Sequence, residues 1–177
     1  MIKKILLGLL AIILAVIIVA SFQPNEFKVT RTLVMNATPQ SVFEQVNDLK
    51  KMNSWSPWVK MEPTVKMTYE GPTAGVGAKY SWEGKETGAG SMTIIDVKPN
   101  EFVKTHLDFL KPFAGMGESE FVIRSEGKQT SVTWIMSGKN ILIGKVFNLF
   151  INQDKMIGGA FEKGLVDLKT LLESSGK

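Results

Sequence analysis

The stretch DKMIGGAFEKGLVDLKTLL, Asp154 to Leu172, decides how the rest of the chain must fold. Ile157, Phe161, Leu165, Leu168 and Leu172 recur at spacings of four, four, three and four, which sets all five on one stripe of an α-helix. Such a stripe has to be buried, so the helix needs a partner surface. Asn152 and Asp154 suit its N-cap, and Ser174, Ser175 and Gly176 let its end fray. Gly158, Gly159 and Gly164 lie inside it, each costing about 1 kcal/mol of helix propensity relative to Ala. The fold therefore wants bare backbone there, either for close packing against a sheet or to leave room for a ligand.

The partner surface is written upstream as strands. Val29, Arg31, Leu33 and Met35 alternate with Lys28, Thr30 and Thr32, a period of two. Thr38 and Pro39 then supply an N-cap and a first helical residue for a short helix through Val42, Phe43 and Val46. A second short helix is expected from Leu49 to Asn53. Trp55-Ser56-Pro57-Trp58 follows, where the proline cannot continue a helix and the two indoles either plug one end of the core or line a pocket mouth. Beyond Pro63 the pattern is strand and turn as far as Lys139. Val76, Ala78, Tyr80 and Trp82 share one face, and Gly84-Lys85 fits the two-residue loop of a type II′ hairpin. That register sets Trp82 opposite Thr87, Tyr80 opposite Ala89 and Ala78 opposite Ser91, so large side chains meet small ones, by simple packing or to hold a cavity open. A bulge at Gly88 or Gly90 would change it. Further strands run through Met92 to Ile95, Phe102 to Leu110, Phe121 and Ile123, and Val132 to Met136. About seven antiparallel strands closed by one long helix predict an α+β fold, a curved sheet over a helix.

Two apolar segments stand outside this scheme. Every residue from Ile5 to Ala20 is apolar or Gly, close to the 20 or so needed to span a bilayer. Lys3 and Lys4 precede the run, so a spanning helix would keep its N-terminus cytoplasmic and its domain outside. A signal peptide, releasing a secreted domain, is the alternative, but neither Ile18-Val19-Ala20 nor Val19-Ala20-Ser21 is a good cleavage site. The expected organisation is an anchor at residues 1–22, a linker at 23–27 and a ligand-binding domain at 28–173. Ile141 to Ile151 is the second segment: eight of its eleven residues are apolar and they surround the helix instead of striping it. It reads either as a buried lead-in to the long helix or as a lid or patch that meets lipid.

Composition narrows the chemistry. The formal charge is +4, but without Lys3 and Lys4 the remainder holds 19 basic against 17 acidic residues, and no basic stripe of the kind nucleic acid requires. With no Cys there are no disulfides and no thiol chemistry. The single histidine, His106, shares its strand face with Lys104 and Asp108, so it belongs to the solvated side, and one His without Cys is a poor basis for a transition-metal site. Gly71 to Lys79 matches no phosphate-binding pattern.

In order along the chain, Trp55-Ser56-Pro57-Trp58, Tyr69-Glu70-Gly71-Pro72, Gly75-Val76-Gly77-Ala78, Trp82-Glu83-Gly84, Pro99-Asn100, Thr130-Ser131-Val132-Thr133-Trp134 and the closing Gly164-Leu165 with Leu168-Lys169 resemble the polyketide cyclase/dehydratase-like branch of the START-like, or SRPBCC, superfamily. The resemblance covers about residues 27 to 172. It implies a helix-grip fold, in which the curved sheet wraps the long C-terminal helix and leaves a deep apolar cavity between them. Members include lipid carriers, hydrophobic-ligand binders, cyclases and dehydratases, and no catalytic motif is common to all.

The expected function is therefore membrane-anchored binding of an apolar or amphipathic small molecule, such as a lipid, without a cofactor, a metal or a catalytic set. The alternatives are a cyclase/dehydratase-type enzyme in the same cavity and a structural or partner-binding module. Trp55, Trp58, Tyr80, Trp82, Phe109, Phe121, Trp134, Met136, Phe147, Ile157 and Phe161 are the expected ligand-binding residues. Arg31, on the inward parity of the first strand, either reaches water, pairs with an acid such as Glu83, Glu86 or Glu120, or anchors a ligand's carboxylate or phosphate. Tyr80 is the best internal hydrogen-bond donor or acid. Nothing in the pattern fixes an oligomeric state.

Overall fold

The structure is a computed structural model that describes residues 2–174. Its elements in order are α1 (Ile2–Ser21), β1 (Glu26–Met35), α2 (Pro39–Val46), α3 (Leu49–Trp55), α4 (Pro57–Met61), β2 (Lys66–Glu70), β3 (Lys79–Glu83), β4 (Ala89–Lys98), β5 (Phe102–Lys111), β6 (Gly115–Glu126), β7 (Gln129–Lys139), α5 (Leu142–Asn148) and α6 (Gln153–Ser174). The seven strands form one antiparallel sheet in the order β1-β7-β6-β5-β4-β3-β2, so the first strand closes against the last. This is the helix-grip arrangement.

Local chemistry accounts for the element ends. Thr38 accepts a hydrogen bond from the Ser41 N–H with Pro39 in the first turn of α2, and the Asp48 carboxylate caps α3 through the Lys50 and Lys51 N–H groups. Pro57 ends α3 at Trp55, but it also starts a further turn of helix, so three short helices follow β1 where two were expected. Asn152 caps α6 by accepting from the Lys155 N–H at 2.8 Å.

The inward face of the sheet follows the alternation: Val132, Trp134 and Met136 on β7, Phe121 and Ile123 on β6, Val103 and Leu107 on β5, Met92 and Ile94 on β4, Tyr80 on β3. α6 lies along β1 and β7, and α2 to α4 fill the angle between α6 and the middle strands. Beneath α6 the space is occupied. Trp134 and Phe161 stack at 4.0 Å with planes 6° apart, and Trp55 stands edge-on to Trp134 at 5.8 Å and to Phe121 at 5.9 Å. The hollow expected between sheet and closing helix is therefore displaced, because four aromatic rings take up the volume directly under the helix.

Three differences from the pattern have clear causes. The β3–β4 connection is a five-residue loop, Gly84–Gly88, with Glu83 opposite Ala89, Trp82 opposite Gly90 and Tyr80 opposite Met92. The expected two-residue turn fails because the Glu62 carboxylate is inserted into the loop and collects its amides. The segment before β1 is no free linker: β1 already begins at Glu26, Asn140 donates from its backbone N–H to the Asn25 carbonyl and from its side chain to the Pro24 carbonyl, and Lys145 Nζ donates to Asn25 Oδ1 at 2.6 Å. Arg31 pairs with none of the three acids expected of it. Its guanidinium holds Asp154 at 3.0 Å and Glu162 at 2.6 Å, both on α6.

The helix glycines now separate by role. A Cβ at Gly158 would strike the Arg31 guanidinium and one at Gly164 would meet Trp134 at 2.8 Å and Pro57 at 3.1 Å, whereas nothing lies within 4 Å of one at Gly159. Two of the three are packing glycines. Gly159→Ala should raise stability by about 1 kcal/mol through helix propensity alone, while Gly164→Ala should lower the thermal midpoint because neither ring beside it can yield. Thermal melts of the two variants beside the parent check both signs.

Candidate functional site

Two apolar hollows flank the aromatic plug. The inner cavity, about 190 Å³, lies under α4 and is walled by Trp58, Val59 and Met61, by Val65 and Met67, and by Tyr80, Trp82, Thr87, Met92, Leu107 and Phe109 of the sheet side. The outer mouth, about 330 Å³, lies between the β5–β6 hairpin, α5 and the first turn of α6, with Phe27, Phe113, Met136, Phe147, Met156 and Ile157 in its wall. Phe109 belongs to both walls.

The strand register shapes the wall of the inner space. Gly90 sits between Trp82 and Phe109 on neighbouring strands, and the two rings meet edge to face at 6.0 Å across it. A Cβ at Gly90 would run into Trp82. Leu107 likewise faces Gly117. Large side chains thus lean over bare backbone, and at Gly90 the missing Cβ is what lets the Trp82 ring lie across the sheet.

Polar groups near the inner cavity are few. Thr87 donates from its hydroxyl to Glu62, and the Trp82 indole donates to the Thr87 carbonyl at 3.2 Å. Tyr80 is 6% exposed, and among the described residues its hydroxyl has no hydrogen-bond partner. Burial pushes that phenol well above its ordinary range, with the nearby Tyr69 adding to the effect. It therefore stays protonated and able to donate.

The clasp that shuts this end of the fold is Glu62, at the end of α4. Its carboxylate accepts from the backbone N–H groups of Lys85, Glu86 and Thr87 at 2.7, 3.1 and 2.9 Å, and from the Thr87 hydroxyl at 2.8 Å. Those hydrogen bonds, the Thr87 amide foremost, draw the carboxyl pKa down to about 2. Sequence reading missed Glu62, because its partners lie 23 to 25 residues downstream in a loop that has no period. Met67, Met92 and Leu107 were also missed, although strand parity puts each on the face that carries Tyr80 and Phe109.

The residues singled out in the sequence divide into three groups. Trp58, Tyr80, Trp82 and Phe109 wall the inner cavity; Phe109, Met136, Phe147 and Ile157 wall the outer mouth; Trp55, Phe121, Trp134 and Phe161 form the plug between sheet and helices and line neither. Arg31 has no donor to spare for a ligand. Its five N–H groups are taken by Glu162, by both oxygens and the backbone carbonyl of Asp154, and by the Thr30 carbonyl. His106 lies on the outer face, 3.2 Å from Asp108, beside Lys104, which bridges Glu118 and Glu120. Among the described residues no group of three His, Asp or Glu suited to a metal ion occurs.

A curved seven-stranded sheet gripping a C-terminal helix, with apolar hollows walled by aromatic and Met side chains, defines a START-like domain. The chain belongs to the polyketide cyclase / dehydrase and lipid transport family, which it matches over residues 26–173. Among solved structures it is similar to protein CV1439 from Chromobacterium violaceum, at 16% identity and a TM-score of 0.60 over 85% of this chain and 99% of that one. Protein Ms6760 from Mycobacterium smegmatis aligns at 15% identity and a TM-score of 0.59, covering 84% and 92% of the two chains. DynU16, from the dynemicin biosynthetic locus, aligns at 12% identity and a TM-score of 0.60 over 86% of this chain and 49% of its own. At such identities the likeness is one of fold. No curated protein matches the sequence.

The Glu62 clasp has a pH signature. A carboxyl held at about 2 against an ordinary 4.5 contributes stability that is present above about pH 4.5 and is lost as pH falls toward 2. Glu62→Gln should therefore melt below the parent at pH 6, and the gap should close as both are titrated from pH 4.5 to 2. A constant gap over that range would show that the charge on Glu62 is not what holds the loop.

Proposed function

We propose that the chain binds a small, largely apolar molecule carrying one hydrogen-bonding oxygen, while α1 holds it at a membrane. The observation that carries this reading is the inner cavity with Tyr80 in its wall. An apolar cavity of about 150 Å³ is known to admit a benzene ring, so 190 Å³ suits one aromatic ring or a short branched alkyl body. A longer guest, such as a fatty acyl chain, requires Phe109 to turn so that the inner space joins the outer mouth. Burial of the guest's apolar surface supplies the affinity, at roughly 25 cal/mol per Å², and the Tyr80 hydroxyl supplies orientation.

Binding without bond chemistry is the reading the wall favours. A cyclase or dehydratase needs an acid and a base converging on one substrate, whereas among the described residues Tyr80 is the one titratable side chain lining the inner cavity, and its pKa is displaced in the direction that removes it as a base near neutral pH.

α1 is long and apolar enough to cross a membrane, a test that a signal sequence also passes. The length of its apolar run and the poor match of its end to a cleavage site favour an uncleaved anchor, and the two lysines at its start put the domain on the extracytoplasmic side. An alkaline phosphatase fusion at the C-terminus should be active in cells, and an inactive fusion with an active cytoplasmic reporter at the same position reverses the orientation.

The ligand site is tested with phenol, which has one hydroxyl on a single apolar ring, titrated calorimetrically into the full chain in lipid nanodiscs. Saturable binding is expected. Tyr80→Phe should weaken it by about 1 kcal/mol, roughly fivefold in affinity, and Leu107→Trp, which fills the cavity opposite Gly117, should abolish it. Equal heats for parent and Leu107→Trp would assign the uptake to the nanodisc and remove the inner cavity from consideration.

A further inference from the structure

The domain carries a concentrated apolar surface at one end. On α5 and just after it, Ile143, Phe147 and Phe150 are exposed, and on the β5–β6 hairpin Leu110, Phe113 and Met116 are exposed, with values of 44 to 76%. These two groups stand on either side of the outer mouth, since Phe113, Met116, Ile143 and Phe147 all contribute to its wall. An open apolar ring of this kind needs a cover, and the position of α1 says which.

α1 packs against α5. Along α1 the covered positions are Val16, partly, and Ala20, fully, one face of its last turn, while the apolar residues before them stay bare. Those two residues lie about 6 Å apart along the helix axis at 1.5 Å per residue. The junction beyond is strapped down: the Gln23 N–H closes a turn on the Ala20 carbonyl, Asn140 holds Pro24 and Asn25, and Lys145 holds Asn25. A helix that crosses a bilayer and is fastened in this way sets the level of whatever touches its last turn. That level is within about 6 Å of the end of the apolar span, and amphipathic segments seated in the headgroup and acyl boundary bury their apolar faces to roughly 5–10 Å.

We propose that α5 and the tip of the β5–β6 hairpin are seated in the outer boundary of the bilayer, so that the outer mouth opens onto lipid and a guest passes between membrane and cavity without crossing water. The proposal rests on α1 spanning the membrane. It assigns the exposed residues of α5 and the hairpin a common cover, and it gives Phe109 a place as the partition between a lipid-facing vestibule and the inner cavity.

The chain has no cysteine, so single nitroxide labels are clean. Labels at Phe113→Cys and Phe150→Cys test the seat, with Ile12→Cys as the anchor control and Lys128→Cys, in the β6–β7 turn at the opposite end of the sheet, as the aqueous control. The full chain is reconstituted in phosphatidylcholine and phosphatidylglycerol vesicles and read by power saturation with oxygen and a water-soluble nickel chelate. The expected result is nickel accessibility at Phe113 and Phe150 at least fivefold below that at Lys128, with oxygen accessibility raised. If Ile12 is shielded but Phe113 and Phe150 are as open to nickel as Lys128, the seat is overturned and the anchor stands. If Ile12 itself is open to nickel, the anchor reading fails and the seat with it. Labels shielded from both reagents, with dipolar broadening, would assign the surface to a second copy of the chain and overturn the lipid seat.

Discussion

The contact on which the structure turns is the parallel stack of Trp134 on Phe161, 4.0 Å apart and nearly coplanar in orientation. It joins the last strand to the last helix through two buried side chains. Ser119 fixes it from below by accepting the Trp134 indole N–H at 2.9 Å, and Gly164 permits it from above, since any side chain there would displace the ring. Trp58 packs on the other side of Phe161 at 6.4 Å, which carries the same stack into α4 and so to the roof of the inner cavity. Helix, sheet and cavity roof are thus held by one column of rings, and aromatic pairs of this sort contribute about 0.5–1.5 kcal/mol each beyond their buried area.

That column also determines where the empty space goes. With α6 committed to β1 and β7, the far half of the sheet is covered only by short helices and a loop: α2 reaches β5, Asn53 of α3 donates to Tyr69 on β2, and α4 and the loop that Glu62 gathers close the rest. These short segments leave part of the concavity of β2 to β5 unfilled. The inner cavity is that unfilled part. A lightly built roof over a rigid wall is a reasonable construction for a site whose occupant must enter and leave, because the clasp is a small number of hydrogen bonds in one exposed loop.

Much of this could be read from the chain before its structure. The spacing from Ile157 to Leu172 gives α6, the alternations give the strands, and the ordered motifs from Trp55 to Lys169 give the family, because each of these signals is local and periodic. The division of the aromatic residues into plug and wall could not be read. Trp134 and Trp82 occupy equivalent inward positions on their strands, and only the lateral placement of α6 over β7 makes one a stacking partner and leaves the other facing a void. The same limit applies to Arg31 and Glu62. Their partners lie 123 and 23 or more residues away, at distances over which charge alone does not say which acid or amide will be met.

The pairing of β1 with β7 bears on how the chain is made as well as how it is held. Val29 is opposite Met136, and every other β1 residue pairs comparably far along the chain. At ribosomal rates of about 5–20 residues per second, β1 leaves the ribosome roughly 5–20 s before its only strand neighbour exists. Throughout that interval it trails directly behind the most hydrophobic segment of the protein with both of its edges unsatisfied. The fold is sealed only when Arg31 can reach α6, so assembly of this domain waits on synthesis of its closing helix, and its early strand is the part in need of shielding until then.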